Sequence, residues 1–288
     1  MDLSVVIVNW KVRELVRRLL DSIKQHTAGI EYEVFVVDND SRDGSVEMIR
    51  SEFPWVKVIA NTQNLGFAKA CNQGIRESRG EFILLLNPDM LLVPNTLSGM
   101  LAYMRRPENA RVGIAGCHLI DEQGKTVPHV RRFPHFSDQL AILLKLPHVF
   151  PRVLDRYLMN NFDYEKEARV DSIRGSFFLI RRAVIEKIGP LDEGFFIWFE
   201  EVDFCKRARA AAFEVAYTPS AQCIDYIGQS FKQVRLYSKQ KMLTRSMLYY
   251  FKKHAPTWQW FVLWCVRPIA LGAVWAADRL RVRAKRVT

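Results

Sequence analysis

The sequence predicts an α/β fold with a mostly parallel central sheet, followed by a helical, basic and tryptophan-rich tail. Its 288 residues are 49% apolar and 25% charged, the balance of an ordinary globular domain. Short apolar runs alternate with segments of helical periodicity through the first third of the chain. Residues 231–288 carry thirteen Lys and Arg against one acid. We therefore expect a globular domain over residues 1–230 and a separate tail over residues 231–288.

The alternation of strand and helix begins at the first residues. Residues 5–8 are all Val or Ile, which is typical of a strand that is covered on both faces. Apolar residues at helical spacing follow over residues 12–23. Further strands are predicted over residues 34–37, 56–59 and 82–86, and further helices over 45–51, 67–77 and from Pro94 onward. Strands joined by helices imply right-handed crossovers and a parallel sheet.

The middle of the chain is less regular. Residues 125–170 contain several Pro and His and the pair Arg131-Arg132, which indicates an insertion or a partner-facing region with some helix over 140–146. Regular structure returns with a predicted strand over residues 175–180 and a short helix after it. Another helix is expected from about Phe199 to Arg209.

The tail has the composition of a segment that meets an anionic surface. Within residues 258–277, sixteen of twenty side chains are apolar and four are Trp. A central Arg267 beside Pro268 is costly inside a bilayer, whereas Trp with flanking Arg suits the membrane interface. A helix packed on the domain and a spanning helix are the alternatives. No recognised nucleic-acid motif accompanies the basic residues, so we expect no nucleic-acid partner.

Cysteine usage and the N-terminus predict a location on the cytoplasmic side. The five Cys are odd in number and form no Cys-x-x-Cys, which suits a reducing compartment. The first residues lack the basic segment and the long apolar run of a signal peptide. The sequence also lacks Gly-x-Gly-x-x-Gly after the first strand, a P-loop, Gly-x-Ser-x-Gly and His-Glu-x-x-His. Dinucleotide oxidoreductases, P-loop hydrolases and zinc proteases are therefore disfavoured.

Polar residues follow three of the predicted strands, at Asn9, at Asp38 and at residues 87–89. Ligands of open α/β sheets bind outside the carboxyl ends of the strands, so these clusters should converge. Asp38 can accept a hydrogen bond from a pyrimidine base or a ribose hydroxyl, or it can simply form a turn. Asp89 can bind a divalent cation that bridges a substrate diphosphate, with a turn again as the alternative.

A third acidic cluster consists of Glu200, Glu201 and Asp203 at the start of a predicted helix. The helix dipole alone favours acids there. Aromatic residues crowd the preceding positions 195–199, and a carboxyl group in such surroundings has a raised pKa and can serve as a general base. Glu201 is the candidate base, and Glu200 is an acid without an assigned role. Asp203 and Arg207 are expected to form a structural pair one helical turn apart.

Five of these motifs occur in an order that resembles one enzyme family. They are residues 5–10, 37–45, 64–68, 86–89 and 199–205. Together they resemble glycosyltransferase family 2, in particular its bacterial rhamnosyltransferase-like members, over about residues 3–230. The resemblance implies a Rossmann-like GT-A fold, inverting transfer from a nucleotide diphosphate sugar such as dTDP-rhamnose, and a Mg²⁺ or Mn²⁺ cofactor. The cationic, Trp-rich tail suits a surface-glycan acceptor linked to polyprenyl diphosphate, and we expect residues 125–170 on the acceptor side.

The resemblance also implies roles for single residues. Asp38 would meet the nucleotide base, Asp89 would bind the metal as the second acid of an Asp-x-Asp motif, and Glu201 would be the catalytic base. The remaining donor-site residues would be Asn9, Asn64, Gly66, Phe67 and Asn87, of which Asn87 replaces the first acid of that motif.

The sequence departs from this family at Asp225, where similar sequences often have a metal-ligating His. Asp225 can act as an oxygen ligand for the metal. It can also be a structural residue, or it can mark a non-catalytic protein that binds nucleotide sugars in glycan assembly. With the basic tail, the resemblance predicts a cytoplasmic protein, peripheral on the inner face of the cell membrane.

Overall fold

The computed structural model describes residues 1–226, 228–229 and 232–284. The strands are β1 (Leu3–Asn9), β2 (Tyr32–Asp38), β3 (Val56–Ala60), β4 (Phe82–Leu86), β5 (Met90–Leu92), β6 (Val112–Ile120), β7 (Val130–Arg131), β8 (Ala168–Val170), β9 (Ser172–Ile173), β10 (Phe177–Arg181) and β11 (Glu214–Asp225). The helices are α1 (Arg13–His26), α2 (Ser45–Glu52), α3 (Phe67–Glu77), α4 (Thr96–Arg105), α5 (Phe136–Leu143), α6 (Asp155–Leu158), α7 (Arg182–Ile188), α8 (Glu200–Ala210), α9 (Leu236–His254) and α10 (Thr257–Ala284).

A nine-stranded sheet forms the centre of the molecule. Its order is β3-β2-β1-β4-β10-β6-β11-β5, with β8 paired to β11, and β7 and β9 form a separate two-stranded sheet. The first four strands pair in parallel, and β6 pairs in parallel with β11. Strand β10 runs antiparallel between β4 and β6. The predicted α/β class with a mostly parallel sheet is confirmed, since six of the nine strands run in one direction.

Both faces of the sheet are covered, which explains the unbroken apolar run over residues 5–8 of the first strand. All seven residues of β1 are buried. Val5 and Ile7 belong to one hydrophobic cluster, and Val6 and Val8 belong to the cluster on the opposite face. Because successive side chains of a strand point to opposite faces, a strand packed on both sides needs apolar residues that face each of the two clusters.

Several elements differ from the sequence-based prediction. Strands β6 and β11 were not predicted, since β6 contains Gly113 and Gly116 and the long β11 contains many polar residues. The two strands pair with each other, and a Cβ on Gly116 would lie 2.8 Å from the Ile173 side chain, so close packing requires these glycines. Helix α4 begins at Thr96 rather than at Pro94, and α5 covers 136–143 rather than 140–146.

The tail begins with a helix that packs on the body of the protein. Side chains of α9, among them Met247 and Phe251, share a buried cluster with residues 195, 199 and 202 of the body. Ser246 donates a hydrogen bond to the Ile197 carbonyl oxygen at 2.7 Å, and Lys253 forms an ion pair with Asp192 at 2.7 Å. The predicted domain boundary between residues 230 and 231 lies outside the described residues.

Helix α10 follows α9 and packs against α9 and α5. Within the described residues it is the one helix long and apolar enough, by length and composition alone, to cross a membrane, over Thr257–Arg279 with a mean hydropathy of 1.6. Its side chains divide by face, because Leu263, Ala270 and Val274 are buried whereas Trp264 and Ile269 are exposed. A helix with one buried face is anchored to the rest of the protein.

Candidate active site

A cavity of about 720 Å³ opens at the carboxyl ends of the parallel strands. Trp10 follows β1, Asn39 follows β2 and Asn87 follows β4, and all three side chains line the cavity. Eight of the residues predicted from the sequence also line it: Asn64, Gly66, Phe67, Asn87, Asp89, Glu200, Glu201 and Asp225. The strand-end clusters therefore converge, as the sheet topology requires.

Asn9 and Asp38 lie beneath the wall of this cavity rather than in its lining. They face each other across the β1–β2 pair, and Asn9 Nδ2 donates to Asp38 Oδ2 at 2.7 Å. The backbone N–H of Ser41 donates to Asp38 Oδ1 at 2.9 Å. Both side chains are buried, and both carboxylate oxygens of Asp38 already accept hydrogen bonds within the protein. These contacts fix the turn that carries Asn39 into the cavity.

The segment from Asn64 to Phe67 is fastened to the loop that precedes α8. The Gly66 N–H donates to Asn64 Oδ1 at 2.9 Å, and the Phe67 N–H donates to the Phe196 carbonyl oxygen at 2.6 Å. Gly66 has φ +86°, and a Cβ there would lie 2.5 Å from that same carbonyl oxygen. The glycine thus permits a close approach of two backbone segments of the protein itself.

Two buried carboxyl groups, Asp89 and Asp225, share one end of the cavity. The antiparallel pairing of β5 with β11 places Asp225 opposite Met90 and so beside Asp89. Burial and the charge of Asp225 raise the pKa of Asp89, although the Gln229 N–H donates to its Oδ2 at 3.0 Å. Arg174 Nη1 lies 3.3 Å from Asp225 Oδ2. Buried oxygen ligands that repel each other form a donor set suited to a divalent cation.

The described residues contain no group of three His, Cys, Asp or Glu side chains that could hold a metal without help. Mg²⁺ and Mn²⁺ sites that act on phosphates commonly use one or two carboxylates, and phosphate oxygens and waters complete the shell. Asp89 and Asp225 fit this smaller donor set. Arg174 supplies one positive charge to the same region, so two carboxylates face one guanidinium.

Glu200 and Glu201 line the cavity side by side at the start of α8, but their surroundings differ. Glu200 is 4% exposed, and burial together with the charge of Glu201 raises its pKa well above the ordinary value of 4.5. Burial also raises the pKa of the partly exposed Glu201, against the charge of Arg174 and nearby backbone N–H groups. The Oε2 atom of each carboxyl group has no hydrogen-bond partner among the described residues. The Oε2 atoms of both residues are buried, but Glu201 as a whole is partly exposed whereas Glu200 is buried.

The predicted pair of Asp203 and Arg207 is confirmed, and it belongs to a larger ionic network. Arg207 Nε donates to Asp203 Oδ2 at 2.8 Å. Asp203 Oδ1 lies 2.8 Å from Lys253 Nζ and 2.6 Å from His254 Nε2, so the carboxylate joins α8 to the end of α9. Burial opposes ionisation, but the hydrogen bonds from His254, Lys253 and Arg207 lower the pKa of Asp203 to about 2.

The far wall of the cavity was not predicted residue by residue. Arg131 and Tyr157 come from the irregular region, Arg174 comes from the turn between β9 and β10, and Met242 and Leu243 come from α9. The only feature of the sequence that pointed to this wall was the Arg131-Arg132 pair, which indicated a partner-facing region. Burial raises the pKa of Tyr157 to about 12, so this phenol stays neutral at physiological pH.

Comparisons with known proteins agree with this arrangement. The family model described as glycosyl transferase family 2 matches residues 4–189. The chain is 27% identical, over 79% of its own length and 77% of the relative's, to an N-acetylglucosaminyl-diphospho-decaprenol L-rhamnosyltransferase of Mycobacterium tuberculosis. It is 23% identical to the rhamnosyltransferase WbbL of Escherichia coli, over 77% of this chain and 82% of the relative.

The fold is also similar to solved structures. A mannosyltransferase of Pyrobaculum calidifontis, solved in complex with GDP-Man and Mn²⁺, superposes with a TM-score of 0.59 at 18% identity, over 98% of this chain and 75% of the other. That likeness supports the GT-A fold that the resemblance predicted. The family model covers well over half of the chain, and the cavity lies at the carboxyl ends of its parallel strands. The chain belongs to glycosyltransferase family 2.

Proposed function

We propose that this protein is an inverting glycosyltransferase that moves a hexose from a nucleotide diphosphate sugar to a surface-glycan acceptor. The leading candidate for the donor is dTDP-L-rhamnose, because the two curated relatives named above are rhamnosyltransferases. The observation that carries the proposal is a single cavity that is lined both by the Asp89–Asp225 pair and by Glu201. A transferase needs these two functions within reach of one sugar.

The donor would bind at the strand ends. Asn39, Asn64 and Phe67 line the part of the cavity nearest to β1 and β2, so we assign the nucleoside to that part. Asp38 and Asn9 would act mainly by holding this wall in place, because their side chains are bonded to each other beneath it. Asn87 follows the most apolar strand and would contact the sugar or its phosphates.

The diphosphate would lie at the acidic end of the cavity. Asp89 and Asp225 would hold Mg²⁺ or Mn²⁺, which, when bound, offsets the negative charge that develops on the leaving diphosphate. Arg174 lies within this region and would contribute a fixed positive charge to the same leaving group. In the absence of donor its guanidinium offsets part of the charge of Asp225.

Glu201 would act as the general base. Its Oε2 has no partner among the described residues, and its raised pKa makes the carboxylate a better proton acceptor than an exposed glutamate. The acceptor hydroxyl would give its proton to this carboxylate while its oxygen forms a bond to the anomeric carbon. The bond from that carbon to the diphosphate breaks on the opposite face. Glu200, the more deeply buried of the two residues, would position Glu201.

The acceptor is proposed to be a glycan linked to a polyprenyl diphosphate at the cytoplasmic face of the cell membrane. The name of the Mycobacterium tuberculosis relative describes an acceptor of that kind. The thirteen Lys and Arg of residues 231–288 would keep the protein peripherally bound to the anionic inner leaflet. The wall formed by residues 131, 157, 242 and 243 would face the acceptor.

Calorimetric titration with nucleotides and nucleotide sugars, with and without Mn²⁺ or Mg²⁺, tests the donor site. We expect metal-dependent binding of dTDP-rhamnose that is lost in Asp89→Ala and retained in Glu201→Gln. A matched control is Asp171→Asn, because Asp171 pairs with Arg209 and is not part of the cavity lining. Turnover with a polyprenyl-diphosphate glycan should be lost in Glu201→Gln. Failure of every nucleotide to bind would overturn the proposal.

The same experiment separates the enzyme from a non-catalytic relative. Asp225 in place of the family His is the feature that raises this second possibility. A donor that binds without turnover on any lipid-linked acceptor would favour a nucleotide-sugar-binding protein. Restoration of turnover in Asp225→His would then attribute the loss to that residue.

A further inference from the structure

Exposed apolar side chains are concentrated in two segments of the chain. Nine of the twelve large hydrophobic residues exposed in the described part of the chain lie there. Four belong to residues 144–153, where exposure ranges from 41% at Val153 to 69% at Val149. Five belong to α10, where it ranges from 46% at Trp275 to 70% at Ile269. Exposed apolar side chains concentrated in this way indicate a binding surface.

The two segments are joined through α5. Residues 144–153 continue directly from the end of α5. The ring of Phe136 in α5 contacts the ring of Trp258 in α10, with centroids 5.1 Å apart. Leu143 of α5 is buried in the same hydrophobic cluster as Leu263 and Ala270 of α10. We call the exposed side chains of residues 144–153 and of α10 together the apolar face.

Among the described residues, the exposed charged side chains around the apolar face are all cationic, whereas Asp155 and Asp278 are half-buried. Arg152 and Arg156 are the exposed charged side chains among residues 144–156. Among the described side chains of α10, Arg279 is the exposed charged one, and its guanidinium lies 3.9 Å from the ring centroid of Trp275. Exposed Trp beside Arg, next to aliphatic side chains, is the composition of a membrane interface. Cations at this position complement anionic lipid headgroups.

We propose that residues 144–153 form a second membrane contact, which acts together with α10 as one surface for an anionic bilayer. The purpose of this surface rests on the proposed function, since it serves an enzyme whose acceptor is lipid-linked. Binding to the bilayer itself requires neither donor nor acceptor. The contact therefore belongs to the body of the protein as well as to the basic tail.

The elements behind the apolar face also build the acceptor wall of the cavity. Tyr157 lies in α6, which directly follows the exposed segment, and its side chain lines the cavity. Met242 and Leu243 line the cavity from α9, against which α10 packs. A sugar diphosphate that projects from the bilayer would therefore meet the cavity from its acceptor side. Orientation by two contacts, rather than by one flexible tail, lowers the entropic cost of placing the acceptor hydroxyl.

The packing of α10 favours a position in the interface over a spanning one. Leu263 and Ala270 are buried, so lipid cannot surround the helix without separating it from α9. Arg267, in the middle of α10, donates from Nε to Thr244 Oγ1 of α9 at 2.9 Å. A spanning orientation would break this bond and place the guanidinium in hydrocarbon, which is costly.

Sedimentation with sucrose-loaded vesicles tests the proposal with the full chain. Vesicles of phosphatidylglycerol and phosphatidylethanolamine should bind the protein, and vesicles of phosphatidylcholine alone should bind it much less. Phe150→Glu and Trp264→Glu should each lower the partition coefficient about tenfold or more, because each removes a buried aromatic contact with lipid and adds a repelled charge. Gln123→Glu adds the same charge at an exposed turn outside the apolar face and should leave binding unchanged.

Two further measurements keep the result interpretable. Thermal unfolding and donor-nucleotide titration should be unaltered in all three variants, so that a loss of vesicle binding is not a loss of folding or of the donor site. If Phe150→Glu binds vesicles as well as the wild type does, residues 144–153 are not a membrane contact, even if Trp264→Glu binds less well. A dimer in solution that Phe150→Glu dissociates would instead identify the apolar face as a protein interface. Vesicle binding without any nucleotide binding would refute the proposed function alone.

Discussion

Replacing Asp203 with Asn should destabilise the protein by about 2.5 kcal/mol or more at neutral pH. The carboxylate is fully buried between two cationic side chains, Arg207 and Lys253, and the ring of His254. Its pKa is lowered from the ordinary value of 3.8 to about 2. Each pKa unit corresponds to 1.36 kcal/mol by which the folded protein favours the charged form. Asn keeps the volume but removes that charge. Breaking one side of a buried ionic network commonly costs about 3–5 kcal/mol, so the estimate is a lower bound.

The sign of the pH dependence gives a stricter test of the same reasoning. Because the folded pKa of Asp203 lies below its ordinary value, its contribution is complete above about pH 4 and is lost as the pH falls toward 2. Urea unfolding, followed by Trp fluorescence at several pH values, should show the difference between wild type and Asp203→Asn shrinking over that range. Asp171→Asn, which breaks a half-exposed pair with Arg209, should cost less than about 1 kcal/mol. A loss no larger than this control, or a difference constant with pH, would refute the assignment.

Three further predictions concern the cavity. Arg174→Gln should weaken nucleoside diphosphate binding by about tenfold in calorimetry, since it removes a charge-assisted contact, whereas Arg209→Gln outside the cavity should not. Burial raises the pKa of Glu201, so kcat/KM of the wild type should rise with pH along an acidic limb that lies above pH 4.5, and a limb at or below pH 4.5 would contradict its role as the base. Gly66→Ala should lower stability in urea unfolding by about 2 kcal/mol more than Gly29→Ala, because both have positive φ but only the first adds a clash with a backbone carbonyl.

The parts of the site that local sequence could reveal are those at the ends of strands and at the start of a helix. Asp89 and Glu201 stood out because an acid after an apolar run has a defined place in an α/β sheet. Arg174 gave no such signal, since it follows a two-residue strand, β9, whose partner β7 lies some forty residues earlier in the chain. The sequence predicted that Asp38 and Gly66 contact a bound nucleotide sugar. The contacts that the structure shows for both residues are with other parts of the protein.

The sequence by itself determined the α/β class, the parallel strands β1 to β4 and the family, because apolar runs, helical periodicity and ordered motifs are all local patterns. Only the tertiary structure decided how β6 and β11 pair, which of two adjacent glutamates is more deeply buried, that α9 lines the cavity and that side chains of residues 144–153 are exposed. These features depend on contacts between residues far apart in the chain. Neighbours that are distant in sequence determine which strands pair, which carboxyl groups are buried and which apolar side chains are exposed. A local sequence pattern does not identify those neighbours.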